Sequence, residues 1–227
     1  SHSTINLNTF FGVPGVSLSD PIMRFDSMSQ RWFVGIITIE SNGSRWLLAV
    51  STSNDPTGAF VLYSFLTPGS LPDFPNMGIS DDKVILTANA FGCDINCNGP
   101  FQGTEFIVFN KANLVAGAAA ATNFFPPPQG LFTLRAAQNL SANTTLFMVS
   151  HGVNLIRIWS VTGVPGVGTG ATFTTVDRPI LNMSIPPDAQ QLGGLQLIAT
   201  NDDRFLEAVF RNWSLWTTAE VGCNPGR

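Results

Sequence analysis

The residues best equipped for chemistry sit in one stretch, "DINCNGPFQGTE", at 94–105. Asp94, Asn96, Asn98, Gly99 and Glu105 follow the spacing of a calcium loop, D-x-[DN]-x-[DN]-G-x5-E. A hard cation takes oxygen ligands, which alternate side chains bring to one point. The glycine makes the sharp turn and the distal glutamate closes the sphere. Two features pull the other way. The flanking residues read as strands where a helix–loop–helix site needs helices, and Pro100 follows the glycine. The competing reading is a surface hairpin loop bridged by Cys93 and Cys97, in which Asn and Gly serve the turn. Calcium is therefore a candidate ligand, and nothing else in the sequence demands a cofactor.

The remaining reactive groups are sparse. Asp81-Asp82 and Asp202-Asp203 precede strand-like runs, and neighbouring carboxylates on an extended chain point apart. Such pairs read as turn caps unless Asp20, Asp81, Asp202 or His151 meet in space, which would favour an enzyme. His151 is the one histidine inside the chain, and no G-x-S-x-G accompanies it, so a Ser-His-Asp hydrolase has no support. Cys93 and Cys97 lack the histidine of a haem attachment site, and four zinc ligands do not assemble. The glycines of 163–170 belong to a flexible turn. Trp32, Trp159 and Trp216 lie in strand-like runs and read as core; Trp46 and Trp213 border sequons or turns, where exposed rings would stack on sugars, and core or interface filling is the favoured reading.

Composition narrows the setting. Of the 227 residues only 11% are charged, against roughly 25% on average. The net charge is −4, and no cluster of Lys or Arg exists to meet a phosphate backbone, so nucleic acid is excluded as a partner. No apolar run approaches the roughly 20 residues that span a bilayer. Cys223 has no third partner to pair with once Cys93 and Cys97 bridge, and is expected unpaired or joined to another chain. Sequons at Asn42, Asn139, Asn143, Asn182 and Asn212 add glycosylation candidates. Disulfide and sequons together predict a secreted or cell-surface protein.

These groups must be positioned by strands. Helical periodicity is nearly absent, and β-branched and aromatic runs alternate with Gly, Pro, Asn and Asp. Strands are expected at 22–25, 32–39, 46–51, 60–65, 83–89, 104–109, 131–136, 145–150, 155–161, 171–175, 195–200, 205–210 and 215–221, with one helix at 111–121. The polar turn Asp26–Arg31 reads as the hairpin between the first two strands, and "AVFRNWSLWTTAEV" repeats the shape. The strands fall into four groups, 19–66, 74–129, 131–177 and 192–221. This is an all-β chain whose groups have the size of four-stranded antiparallel propeller blades. Several strands, such as "WFVGIITI", are apolar on both faces, as stacked blades require. The fourth group is one strand short, and "STINLNTFF" at the N-terminus is a candidate to complete it; otherwise the chain is part of a larger propeller.

On the segments "SDPIMRFDSMSQRWFV", "LAVSTSNDPTGAFVLYSF", "PDFPNMGISDDKVILTANAF", "FQGTEFIVFNKANLVAG" and "NDDRFLEAVFRNWSLWT" the chain resembles a family of large, secreted β-propeller repeat proteins. That family is known mainly from bacterial genomes and is largely uncharacterised. The resemblance implies the propeller and further chain on both sides, and it carries no reaction. The resulting expectation is a secreted, non-catalytic β-propeller scaffold for binding, adhesion or extracellular assembly. Its partners would be other chains, copies of itself or glycans. The alternative is an extracellular lectin or a polysaccharide-acting enzyme.

Overall fold

Runs of β-branched and aromatic residues favour the pleated, half-buried surface of a strand, and the intervening Gly, Asn and Asp allow tight turns. The computed structural model describes residues 4–129 and 131–222, which form fifteen strands and two one-turn helices. Helix α1 (Leu7–Phe11) precedes a four-stranded antiparallel sheet of β1 (Ser17–Asp26), β2 (Arg31–Ile39), β3 (Gly43–Ser51) and β4 (Phe60–Pro68). The same up-and-down order returns in β5 (Ser70–Ile79), β6 (Lys83–Gly92), β7 (Phe101–Asn110) and, after helix α2 (Lys111–Val115), β8 (Thr122–Phe125).

A short inner segment then supplies two strands of two residues each, β9 (Arg135–Ala136) and β10 (Gln138–Asn139). β9 heads a third antiparallel sheet with β11 (Leu146–Gly152), β12 (Leu155–Val164) and β13 (Val167–Pro179). β10 pairs in parallel with β5 on one side and with β14 (Phe205–Arg211) on the other. β14 forms a hairpin with β15 (Ser214–Ala219). One inner segment thereby ties the second, third and fourth strand groups together.

The core follows the same order. Trp46, Leu48 and Val50 of β3 meet Met77, Leu86 and Phe109 of the second group. Ile85, Phe106 and Val108 pack on Met148, Trp159 and Val161 of the third. Val149 and Ala137 then meet Phe205, Ala208 and Phe210. Inner strands approach closely where side chains are small. A Cβ on Gly78 of β5 would lie 2.6 Å from Ala136 Cβ and 2.7 Å from the Ala137 carbonyl oxygen.

Several expectations are corrected. "LNTFF" is not an outer strand of the fourth group but helix α1, capped by Asn6 and closed by Gly12 at φ 67°. Its Phe11 packs with Ile36, Leu47 and Ala49 of the first sheet. The helix expected at 111–121 stops at Val115 because Ala116 and Gly117 form its C-terminal turn, Gly117 at φ 66°. Residues 195–200 make one isolated bridge, Ala189 to Ile198, instead of a strand. β5 and β8 were not expected, since Pro72, Pro75 and the "FFPPP" run read as breakers. Trp46 is buried, as the core reading expected, but Trp216 is 67% exposed, not core, because β15 shows one face to solvent.

Candidate functional site

The first strands of the groups, β1, β5, β9 and β14, lie side by side, and β1 and β5 share one backbone device. In β1 the register slips between Ser19 and Ile22, with Asp20 at φ 54° followed by Pro21. In β5 it slips between Asp73 and Asn76, with Phe74 at φ 51° followed by Pro75. Proline has no N–H to continue the ladder, so each strand bulges there and re-aims the next side chains. Thr133, also left-handed at φ 55°, precedes β9 without a proline or a register slip. A bulky residue such as Phe74 in left-handed backbone is costly, and strain of that kind concentrates at functional sites.

The re-aimed side chains converge on a cavity of about 340 Å3 lined by Asp20, Ile22, Arg24, Phe74, Asn76, Arg135 and Glu207, among others. Arg24 comes from β1, Asn76 from β5, Arg135 from β9 and Glu207 from β14. Arg24 donates to Glu207 Oε2 in an ion pair that joins the first group to the fourth. Asn76 Nδ2 donates to Glu207 Oε1 at 3.4 Å, while Asn76 Oδ1 accepts from the Ala136 N–H at 2.9 Å. Arg135 is 4% exposed and donates only to carbonyls, Nε to Phe205 at 2.9 Å and Nη1 to Pro75 at 3.3 Å. Its guanidinium lies 3.9 Å from the Phe74 ring centroid, and that of Arg204 lies 4.4 Å from the same ring.

Burial pulls the Arg135 pKa down to about 10, with Glu207 opposing that shift and Arg204 and Arg24 adding to it. Beside the cavity, burial and then the Asp20 charge push the Asp73 carboxyl above its usual range. Arg204 donates to both oxygens of Asp202, at 2.6 and 2.5 Å, and holds that carboxyl low. The site thus combines desolvated guanidiniums with carboxylates that crowd one another.

The residues singled out in the sequence are scattered around this centre. Asp20 lines the cavity, and Asp202 flanks it through Arg204. His151 stands edge-on to Phe205, with Nε2 at 4.0 Å from Asp203 Oδ1. Asp81 lies at the far ends of the inner strands, where its N–H donates to the Asn143 carbonyl. A second cavity of about 430 Å3 opens there, walled by Val115, Val164 and Val167 beside Asp81 and Asp82.

The proposed calcium ligands do not share one environment. Asp94, Asn96 and Asn98 are exposed, and Asp94 Oδ1 accepts from the Asn96 N–H at 3.1 Å. Glu105 is fully buried in β7, on the face that carries Ile107 and Phe109, and accepts from Ser70 Oγ at 3.1 Å. Its other oxygen has no partner, and burial raises its pKa to about 7 despite the Ser70 hydrogen bond. Among the described residues no group of three His, Cys, Asp or Glu is placed to hold a metal ion.

Cys93 and Cys97 lie at disulfide distance, with both sulfurs over the Glu40 carbonyl oxygen at 3.1 and 3.0 Å. Cys223 lies outside the described residues. Among the sequons, Asn42, Asn182 and Asn212 are exposed and Asn143 is half-buried. Asn139 does not suit glycosylation: it is 6% exposed, and its Nδ2 is committed to the Asn143 and Thr145 carbonyls. Among the described residues no helix is long and apolar enough to cross a membrane.

The cavity set Arg24, Phe74, Asn76, Arg135 and Glu207 was not singled out in the sequence. The available signal was the recurrence of Pro-x-Met in "DPIMR" and "FPNMG", which marks the two bulges. No family model matches the chain, and neither a curated protein nor a solved structure does.

Proposed function

We propose that the chain is a secreted β-propeller of four blade-like groups that acts as a non-catalytic binding module, with its ligand held where the four inner strands start. The observation that carries this reading is the convergence of Arg24, Asn76, Arg135 and Glu207, one from each group, on a single cavity. Ligand sites are concave, with apolar walls and a few polar groups that converge. The ion pair between Arg24 and Glu207 would close the ring that α1 does not close. A binding role is favoured over catalysis because two of the carboxylates at the site, Glu207 and Asp202, are already committed to arginines. Glu207 accepts from Arg24 and Asn76, and Asp202 accepts from Arg204. The Cys93–Cys97 pair and the surface sequons support an extracellular setting.

The test is ligand-observed NMR of the purified chain against a panel of free amino acids, neutral sugars, sugar acids and dicarboxylates. Binding should be saturable and should weaken in Asn76→Ala, which removes a cavity side chain. Binding by no member of the panel, or binding indifferent to Asn76→Ala, overturns the reading.

A polysaccharide-binding surface is a second reading with one observation behind it. Trp213 is 88% exposed at the tip of the β14–β15 hairpin and Trp216 is 67% exposed on β15, so both rings are open to stacking on sugars. Trp213→Ala tests it by loss of retention on immobilised polysaccharide.

A further inference from the structure

We infer that the cavity at the strand starts takes a zwitterion, a free α-amino acid with an apolar side chain; this rests on the binding role proposed above. Two opposite charges face this cavity without meeting. Among the described residues, Arg135 has no carboxylate and Asp20 no cation within 4.0 Å, although both line the same walls. A buried cation whose hydrogen bonds go only to carbonyl oxygens lacks a carboxylate in contact, Glu207 acting on it from beyond ion-pair distance. Arg24 adds a second unspent donor, since its Nε is buried with no partner while Glu207 occupies its Nη2. A carboxylate entering here would accept from the desolvated Arg135 and from Arg24, which Glu207 already holds in place.

On the other wall the need is reversed. Asp20 accepts from Ser19 Oγ at 2.9 Å, and its charge adds to burial in keeping the half-buried Asp73 carboxyl above its usual range. An ammonium group placed there would relieve that repulsion and satisfy Asp20. The cavity walls contribute two cations and two carboxylates, Arg24, Arg135, Asp20 and Glu207. A ligand of zero net charge keeps that balance, whereas a simple anion or cation would upset it. Between the charged walls, Pro21, Ile22, Phe74 and Leu206 offer an apolar surface, and about 340 Å3 accommodates a side chain of leucine size.

The test is titration calorimetry of the intact chain with L-leucine, N-acetyl-L-leucine, L-leucinamide and D-glucuronate. L-leucine should bind, and removing either its ammonium (N-acetyl) or its carboxylate (amide) charge should weaken binding about tenfold or more. Asp20→Asn keeps the left-handed backbone that asparagine tolerates, so the fold survives. That variant should lose about tenfold for L-leucine and nothing for N-acetyl-L-leucine. Equal losses for both ligands would overturn the assignment of Asp20 to the ammonium. D-glucuronate binding without L-leucine binding would overturn the zwitterion and leave the binding role standing. If none of the four binds, the zwitterion falls, and the binding role falls with it only if the wider panel also fails to bind.

Discussion

The inner strands have two ends, and the ends treat charge differently. At their finish, the two lysines are spent on carboxylates. Lys111 Nζ donates to Asp26 Oδ2 at 2.9 Å, both side chains being buried, and Lys83 Nζ donates to Asp82 Oδ1 at 2.5 Å and to the Thr144 carbonyl. Asp26 also accepts from the N–H groups of Met28 and Ser29, so one carboxylate caps the β1–β2 turn and anchors α2. Around the bulges of β1 and β5, Arg135 has carbonyls alone, and Arg24 Nε has no partner. The same strands thus end in a closed ionic seam that holds groups together and begin in an unfinished one that a ligand can complete.

The sharpest way to break this contrast is at the closed end. Lys111→Met leaves Asp26 buried without its cation and should cost about 3–5 kcal/mol in denaturant unfolding. A change under about 1 kcal/mol would mean that the seam is no more structural than a surface pair. Glu105 provides the next test, away from both ends. Its pKa is raised from 4.5 to about 7 by burial, so the folded chain binds a proton that the unfolded chain releases between those values. Stability should therefore fall as pH rises from about 4.5 to about 7, by on the order of 3 kcal/mol. Glu105→Gln should flatten that slope and leave the protein more stable than wild type above pH 7. A parallel slope in the variant would assign the pH dependence elsewhere.

Gly78→Ala probes the packing between the two ends, where a Cβ would press on Ala136 and Ala137. A loss of about 1–3 kcal/mol is expected in the same unfolding experiment. The smallest effect belongs to the exposed pair of Arg157 and Asp177, which face each other across β12 and β13 at 2.7 and 2.8 Å. Arg157→Ala should leave the unfolding midpoint unchanged, because solvent already screens both charges.

How much of this was legible depended on sequence separation. The Asp26–Arg31 hairpin was readable because its determinants are local: Asp26 pairs with Arg31 and caps its own turn. The four-stranded antiparallel first and third groups were readable from punctuation, whereas β5, β8 and the two-stranded fourth group were not. The cavity was not, because its four polar residues come from strands far apart in sequence and are aimed by bulges. Glu105 was misread although its alternation with Ile107 and Phe109 placed it inward; a spacing motif outweighed a period of two. The burial of Lys83 and Lys111 left no trace in composition, for a lysine in a polar context reads as surface.

Both lysines of the chain are buried. Apart from its α-amine, the folded molecule therefore offers an amine reagent almost nothing to acylate. Acyl groups would accumulate on Lys83 and Lys111 only in molecules that have opened. The rate at which a mild acylating reagent adds mass would then count openings one molecule at a time, with the fold itself as the protecting group.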